Sequence, residues 1–214
     1  MTPEQLIRLA TEEELKIVES LFLRDERRRK TVIFTAPGRR CGCSWIIARM
    51  ARSVARCVPG TVCALDANLR WPALHNLFWL DNARGLLQAL EGSRPIRDYT
   101  QRVHDTNLWV LPSGGSVDDS HSAIGSEAFK TRLSELSREF DFVLVDTAAI
   151  KASPDAVTLS GLTDGVVLVL AAHSTTRESA IGSKLALEAA SVPIAGAVLN
   201  RRTYPIPEKI YRYL

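Results

Sequence analysis

TAPGRRCGCSW, residues 35–45, decides how the rest of the chain is read. It lies between an apolar run, Thr31-Val32-Ile33-Phe34, and a helix-like apolar run, Trp45-Ile46-Ile47-Ala48. A Gly-containing loop between a strand and a helix is where nucleotide phosphates bind, because backbone amides and the helix dipole point at the anion. The position where a phosphate-binding lysine belongs is occupied by Cys43. Three readings follow: a phosphate loop stripped of its cation, a differently built one, or a plain strand–helix turn.

Outward from this loop, strand and helix patterns alternate. Apolar runs predict strands at Thr31–Thr35, Thr61–Leu65, Leu108–Leu111, Phe142–Val145, Gly165–Ala171 and Ile194–Leu199. Between them, helices are expected at Ser44–Val58, Pro72–Phe78, Gly85–Glu91, Ser126–Phe140, Asp155–Leu162 and Thr176–Ala190. Continuous apolar strands separated by helices indicate a parallel sheet covered on both faces, so the class is α/β, three-layered and doubly wound. Residues 3–23 carry apolar positions at helical spacing and read as a helical extension, with Glu12-Glu13-Glu14 suited to a helix start. The charged link that follows reads as solvated, and Ser113–Ser126 (SGGSVDDSHSAIGS) reads as a mobile polar loop.

Composition sets bounds rather than a function. The 214 residues are 46% hydrophobic and 24% charged, enough for one sizeable core. A net charge of +3 does not by itself argue for nucleic acid. No run reaches the roughly 18 apolar residues of a membrane helix, and a cytoplasmic protein is expected. Cys41, Cys43, Cys57 and Cys63 read as reduced thiols, since Cys41-Gly42-Cys43 lacks the spacing of a redox or zinc pair. His75, His104, His121 and His173 share no spacing, so no histidine metal site is expected. Trp45 reads as packing; Trp71 has no role legible at this stage.

In an open parallel sheet, ligands bind beyond the carboxyl ends of the strands. That edge here collects the loop Ala36–Ser44, then Asp66-Ala67-Asn68-Leu69-Arg70, Asp146-Thr147-Ala148-Ala149 and Asn200-Arg201-Arg202. A single Asp after a strand is often only a cap or turn former. Four polar endings at one edge are more specific, and an apolar strand ending in Asp suits a carboxylate that orients magnesium.

These motifs resemble the bacterial tyrosine kinases of capsule and exopolysaccharide biosynthesis, in the MinD/ParA-like branch of P-loop proteins. The loop matches as Pro37-Gly38-Arg39-Arg40-Cys41-Gly42-Cys43-Ser44, the family's DxDxR motif as Asp66-Ala67-Asn68-Leu69-Arg70 with RWPALHNLF (70–78) continuing it, and the third motif as Asp146-Thr147-Ala148-Ala149. DAVTLSGLTDGVVLVL (155–170) and AGAVLNR (195–201) complete the likeness, which spans about residues 30–204. The resemblance implies a P-loop NTPase-like fold binding ATP and Mg2+. It implies that amides from Gly38 through Arg39, Arg40, Cys41, Gly42 and Cys43 to Ser44 cradle phosphates. Ser44 would ligate magnesium, Asp66 would be a magnesium-associated carboxylate and candidate base, Asp146 would position the ion through water, and Asn200 would meet the nucleobase. Tyr204, Tyr211 and Tyr213 resemble the family's C-terminal phosphoacceptor cluster, though aromatics that pack back on the domain read equally well.

Three departures bear on activity: Cys43 for lysine, Asn68 for the second acid, and Ala148-Ala149 for two prolines. Neutral cysteine cannot stabilise transferring charge, and asparagine is no base. Arg39 and Arg40 are expected to face solvent rather than replace the lysine. The extension lacks the family's ExxRxxR-like arginines at EEELKIVESLFL (12–23), which bears on ring formation by a homo-oligomer. The expected division is a helical segment and basic linker (1–30), the P-loop-like domain (31–204) and a tyrosine tail (205–214). The resemblance implies a membrane polysaccharide co-polymerase or chain-length protein as activator, holding the chain at the inner face of the membrane. The leading expectation is a degenerate kinase that regulates polysaccharide export. An active tyrosine autokinase and a ParA-like positioning ATPase are the alternatives.

Overall fold

The computed structural model describes residues 12–23, 29–104 and 106–202. Six strands are parallel: β1 (Thr31–Thr35), β2 (Val62–Asp66), β4 (Leu108–Leu111), β5 (Phe142–Asp146), β6 (Gly165–Ala171) and β7 (Ile194–Asn200). The two-residue β3 (Gln101–Arg102) runs antiparallel to β4, and the order is β3-β4-β2-β5-β1-β6-β7. The central strands are apolar at almost every position because both of their faces are covered. Alternate residues go to different cores: Val32 and Phe34 join one cluster, while Ile33 joins the other.

The first cluster lies under α1 (Glu12–Val18, extended by a π-turn over Glu19–Leu23), α2 (Cys43–Cys57) and α3 (Leu74–Phe78). The second lies under α4 (Leu86–Glu91), α6 (Glu127–Glu139), α7 (Asp155–Ser160) and α8 (Arg177–Ala189). The result is the three-layer α/β architecture read from the sequence. The strand and helix bounds fall within a residue or two of expectation, and both Asp66 and Asp146 are the last residues of their strands.

The extension is part of the fold rather than a free arm over its described residues. Glu14 of α1 is buried against α2, where Arg49 Nε donates to Glu14 Oε1 and Ser53 Oγ donates to Glu14 Oε2 at 3.4 Å. Phe22 meets Phe142 edge-on with ring centroids 5.7 Å apart. Residues 3–11 and 24–28 of the expected helices and linker lie outside the described residues.

The polar stretch Ser113–Ser126 is not the mobile loop expected. It contains α5 (Ser120–Ile124), capped by Asp119 accepting from Ser122 N at 3.3 Å. Ser120 Oγ donates to the buried Asp155 carboxylate at 2.9 Å, and Ile124 enters the second core. Serines and aspartates read as loop formers because they also cap helices; the apolar Val117, Ala123 and Ile124, which pack on the second core, were the signal that the segment docks. β3 and the 3-10 turn Ile96–Tyr99 also escape the sequence reading, being too short for a period.

Arg132 of α6 fastens α4 from below. Its guanidinium donates to the carbonyls of Ala89 (2.8 Å), Arg94 (3.0 Å) and Gly92, and to Glu135 Oε2 at 2.7 Å. Three of these acceptors are backbone oxygens at and beyond the end of α4, where a helix leaves carbonyls unsatisfied. Arg132→Ala is expected to lower unfolding free energy by about 3 kcal/mol, read as a lower urea midpoint at unchanged slope.

Candidate phosphate-loop site

The loop begins where β1 ends and α2 starts. Gly42 is the N-cap residue of α2 at φ 84°, with no side-chain cap, and Ile46 N donates to Gly42 O at 3.0 Å. The amides of Cys43, Ser44 and Trp45 precede that first helical bond and have no acceptor within the helix. Arg40 is held at φ 63°, a conformation that costs a non-glycine residue about 1–2 kcal/mol. Gly42 cannot be replaced freely, because a Cβ there would lie 2.4 Å from Asn200 Nδ2.

Asn200, at the end of β7, is committed to the loop. Its Nδ2 donates to Cys41 O at 2.9 Å, and its Oδ1 accepts from Arg201 N at 2.8 Å. The amide expected at a nucleobase thus also clasps the loop, with a second N–H of Nδ2 left over. Cys41 is buried, with Sγ 3.7 Å from Thr175 Oγ1.

Two carboxylates face each other beneath the loop. Asp66 and Asp146 are partners in the β2–β5 register, and both side chains are fully buried. Asp66 Oδ2 accepts from Ala73 N and Leu74 N, each at 2.9 Å, and so holds the start of α3. Asp66 Oδ1, both oxygens of Asp146 and Asn68 Oδ1 are buried without a hydrogen-bond partner. Burial pushes the Asp66 carboxyl up to about 6, against the pull of the Leu74, Ala73 and Asn68 amides. Burial first, and the Asp66 charge second, lift Asp146 well above the ordinary carboxylate range. The Ser44 hydroxyl and Cys43 thiol lie against Asp146 and offset part of that rise without reaching good hydrogen-bond geometry. Burial and the Asp146 charge raise the Cys43 thiol well above its usual value, so it remains a neutral SH.

The unpartnered oxygens fit a hard divalent cation such as magnesium. Among the described residues no group of three or more His, Cys, Asp or Glu side chains could hold a metal. An ion here would draw on two carboxylates and Ser44, leaving its other positions for water and phosphate, as magnesium sites commonly do.

Over this pair opens a cleft of about 310 Å³, lined among others by Arg39, Arg40, Ser44, Trp45, Asn68 and Trp71. The Arg39 guanidinium stacks 3.8 Å over the Trp71 ring, and that of Arg70 lies 5.7 Å from the same ring. Arg70 is fixed by donating to Asp118 O (2.8 Å) and Ala152 O (3.2 Å). Trp71 therefore gains a role absent from the sequence reading, as the platform that holds Arg39 at the cleft mouth. Trp45 is a correction to the packing reading: it is 38% exposed, on the first turn of α2, where it lines the cleft with Arg49 over its ring. The structure thus brings Gly38, Arg39, Arg40, Cys41, Gly42, Cys43, Ser44, Asp66, Asp146 and Asn200 to one sheet edge. Tyr204, Tyr211 and Tyr213 lie outside the described residues.

No family model matches the chain. It is 32% identical over 181 residues to the tyrosine-protein kinase YwqD of Bacillus subtilis, covering 84% of this chain and 75% of that protein. The chain belongs to the bacterial tyrosine-protein kinase family. It is also 29% identical over 180 residues to the tyrosine-protein kinase ptk of Acinetobacter johnsonii, but spans only 24% of that protein. The chimerical protein CapA2B2 superposes with a TM-score of 0.85 at 25% identity, over 90% of this chain and 85% of that one. MinD of Pyrococcus horikoshii, solved with Mg-ADP, shares the fold at a TM-score of 0.65 and 18% identity, over 86% and 76% of the two chains.

In this member of the tyrosine-kinase family the acidic pair sets a pH dependence. A carboxyl whose folded pKa is raised favours the folded state while protonated, and its stabilisation is lost as pH rises. For Asp66 that loss runs from about 4 through about 6. Asp146→Asn is expected to flatten the decline in Tm across this window and to raise Tm at pH 8 in metal-free buffer. Millimolar Mg2+ is expected to raise the Tm of the unaltered chain at pH 8 and not at pH 4.5.

Proposed function

We propose that this kinase-family chain is a nucleotide-responsive regulator of capsule or exopolysaccharide biosynthesis with weak or absent phosphotransfer. The observation that carries the reading is Cys43, a neutral thiol beside Asp146 at the head of α2. A cation at this point would both balance the buried carboxylates and stabilise the charge that develops on a transferring phosphoryl group. Its loss costs about 10²–10³ in rate, or about 3–4 kcal/mol. Binding suffers less, because the amides of the loop and the dipole of α2 remain.

Within this reading, the backbone from Gly38 to Ser44 binds the phosphates of ATP, and Ser44, Asp66 and Asp146 hold magnesium. When bound, the ion supplies positive charge to the phosphates. Asp66, pushed up to about 6, is mostly ionised at neutral pH and is the candidate base toward a tyrosine hydroxyl. Asn68 adds no charge to help it. The phosphoacceptor tail 205–214, the domain 31–204 and the segment 1–30 form the proposed division. A membrane-embedded co-polymerase or chain-length protein is the proposed activator and membrane tether. Among the described residues no helix is long and apolar enough to cross a membrane.

Arg39 favours a second reading, an active autokinase. It lines the cleft and, although exposed, is held on the Trp71 ring, so it is placed to meet an incoming anion.

Calorimetric titration with magnesium-ATP, paired with phosphotransfer assays on unaltered chain and Cys43→Lys, separates the two. The regulator reading expects weak binding, about tenfold or more tighter in Cys43→Lys, and phosphotyrosine only in that variant. Phosphotyrosine formed by the unaltered chain at a rate that Cys43→Lys does not improve would overturn it in favour of the autokinase.

A further inference from the structure

The span 31–80 carries charge of one sign. It holds six arginines and a single acid, Asp66, which is buried beneath the phosphate loop. Arg49 is paired with Glu14. Arg52 and Arg56, one turn apart on α2, have no carboxylate partner among the described residues. Like charges at that spacing repel. The Arg52 guanidinium lies 4.1 Å over the Phe78 ring and donates to Ala48 O and Leu77 O, each at 3.1 Å. Burial first, and the Arg56 charge second, pull Arg52 down to about 10. Two cations are thus held together at the end of α3 with no anion to balance them.

Trp79 closes α3 beside them. It sits at φ 59°, the left-handed conformation in which Gly or Asn usually ends a helix, because a Cβ is disfavoured there. The helix end is nevertheless kept: Trp79 N donates to Asn76 O at 3.4 Å and Leu80 N to His75 O at 2.8 Å. The turn sends the indole outward, so Trp79 is 76% exposed while the neighbouring Phe78 is buried. No packing contact calls for so large a ring in a strained turn. Asp81, the nearest acid along the chain, turns Oδ2 to the amide of Ala83 at 3.2 Å.

We infer that Trp79, Arg52 and Arg56 form a contact for an anionic lipid surface, with the indole at headgroup level and the guanidiniums toward the lipid phosphates. An indole is amphipathic and favours the boundary between water and hydrocarbon. Arginines near an anionic leaflet are drawn to it. Other polyanions fit less well. An acidic peptide is commonly held in a groove, and the phosphate-loop cleft does not reach these three residues. Single-stranded nucleic acid stacks on a row of open rings, but guanidiniums already lie over Trp45 and Trp71. One ring and two charges make a weak, reversible contact. It orients a chain brought to the membrane rather than anchoring it, and it requires no nucleotide in the loop.

Co-sedimentation of the full chain with vesicles at millimolar lipid tests the contact. The vesicles are phosphatidylcholine alone or mixed with phosphatidylglycerol. The mixed vesicles are expected to bind the chain about tenfold or more tighter, and less so at high salt. Arg56→Glu is expected to weaken that binding about tenfold, whereas Arg138→Glu, the same charge change on α6, leaves it unaltered. Trp79→Gly suits the left-handed turn and keeps the fold; it is expected to weaken binding about tenfold. Brominated lipid is expected to quench tryptophan emission in the unaltered chain and not in Trp79→Gly. Absent vesicle binding, or binding and quenching that Trp79→Gly leaves unchanged, overturns the inference. Binding of poly-glutamate or a single-stranded oligonucleotide in place of vesicles, lost in the same variants, also overturns it by assigning the face to another polyanion.

Discussion

Two carboxylates buried face to face govern this molecule. Asp66 and Asp146 end neighbouring strands in the same register, at the centre of the sheet and beneath the phosphate loop. Ionised together they repel in a medium that screens poorly, so the fold holds them by raising their affinity for protons or by offering their bare oxygens to a cation. A lysine at the head of α2 would ease this tension from within the protein. With Cys43 in that place, the relief must come from outside, from a proton or a divalent ion. The neutral thiol, the raised carboxyls and the unpartnered oxygens are one electrostatic situation seen from three atoms.

The surrounding fold is arranged to keep that pair in place. Asp66 gives one oxygen to the amides of Ala73 and Leu74, so α3 is hung from the carboxylate that the site needs. Thr35 and Thr147 cross-link the ends of β1 and β5, donating to Ala148 O at 3.0 Å and Phe34 O at 3.1 Å. Behind α2, the buried Glu14–Arg49 pair fixes the N-terminal helix to the element that carries the loop.

Much of this was legible in the sequence because burial on both faces leaves a coarse mark. Strands such as Val62–Asp66 and Gly165–Ala171 are unbroken apolar runs, and a run that ends in Asp or Asn announces the ligand edge. The residues expected along that edge meet there in the fold for the same reason. What escaped depends on who meets whom across the chain. That Asn200 turns to Cys41, that Trp71 carries Arg39, and that Glu14 takes a buried arginine are pairings with no local period. Ser113–Ser126 was misread because capping and looping use the same residues; the difference lies in Asp155, buried 35 residues away from Ser120.

The bond from Asn200 to the carbonyl of Cys41 spans 159 residues. It joins the first loop of the domain to the end of its last strand. Closing so long a stretch of chain is slow compared with local structure. On the ribosome, α2 and its neighbours can collapse early, yet the cradle keeps an open seam until β7 is delivered and docked. The anion site is thus a late product of assembly, and a nascent chain short of residue 200 has a loop without its clasp.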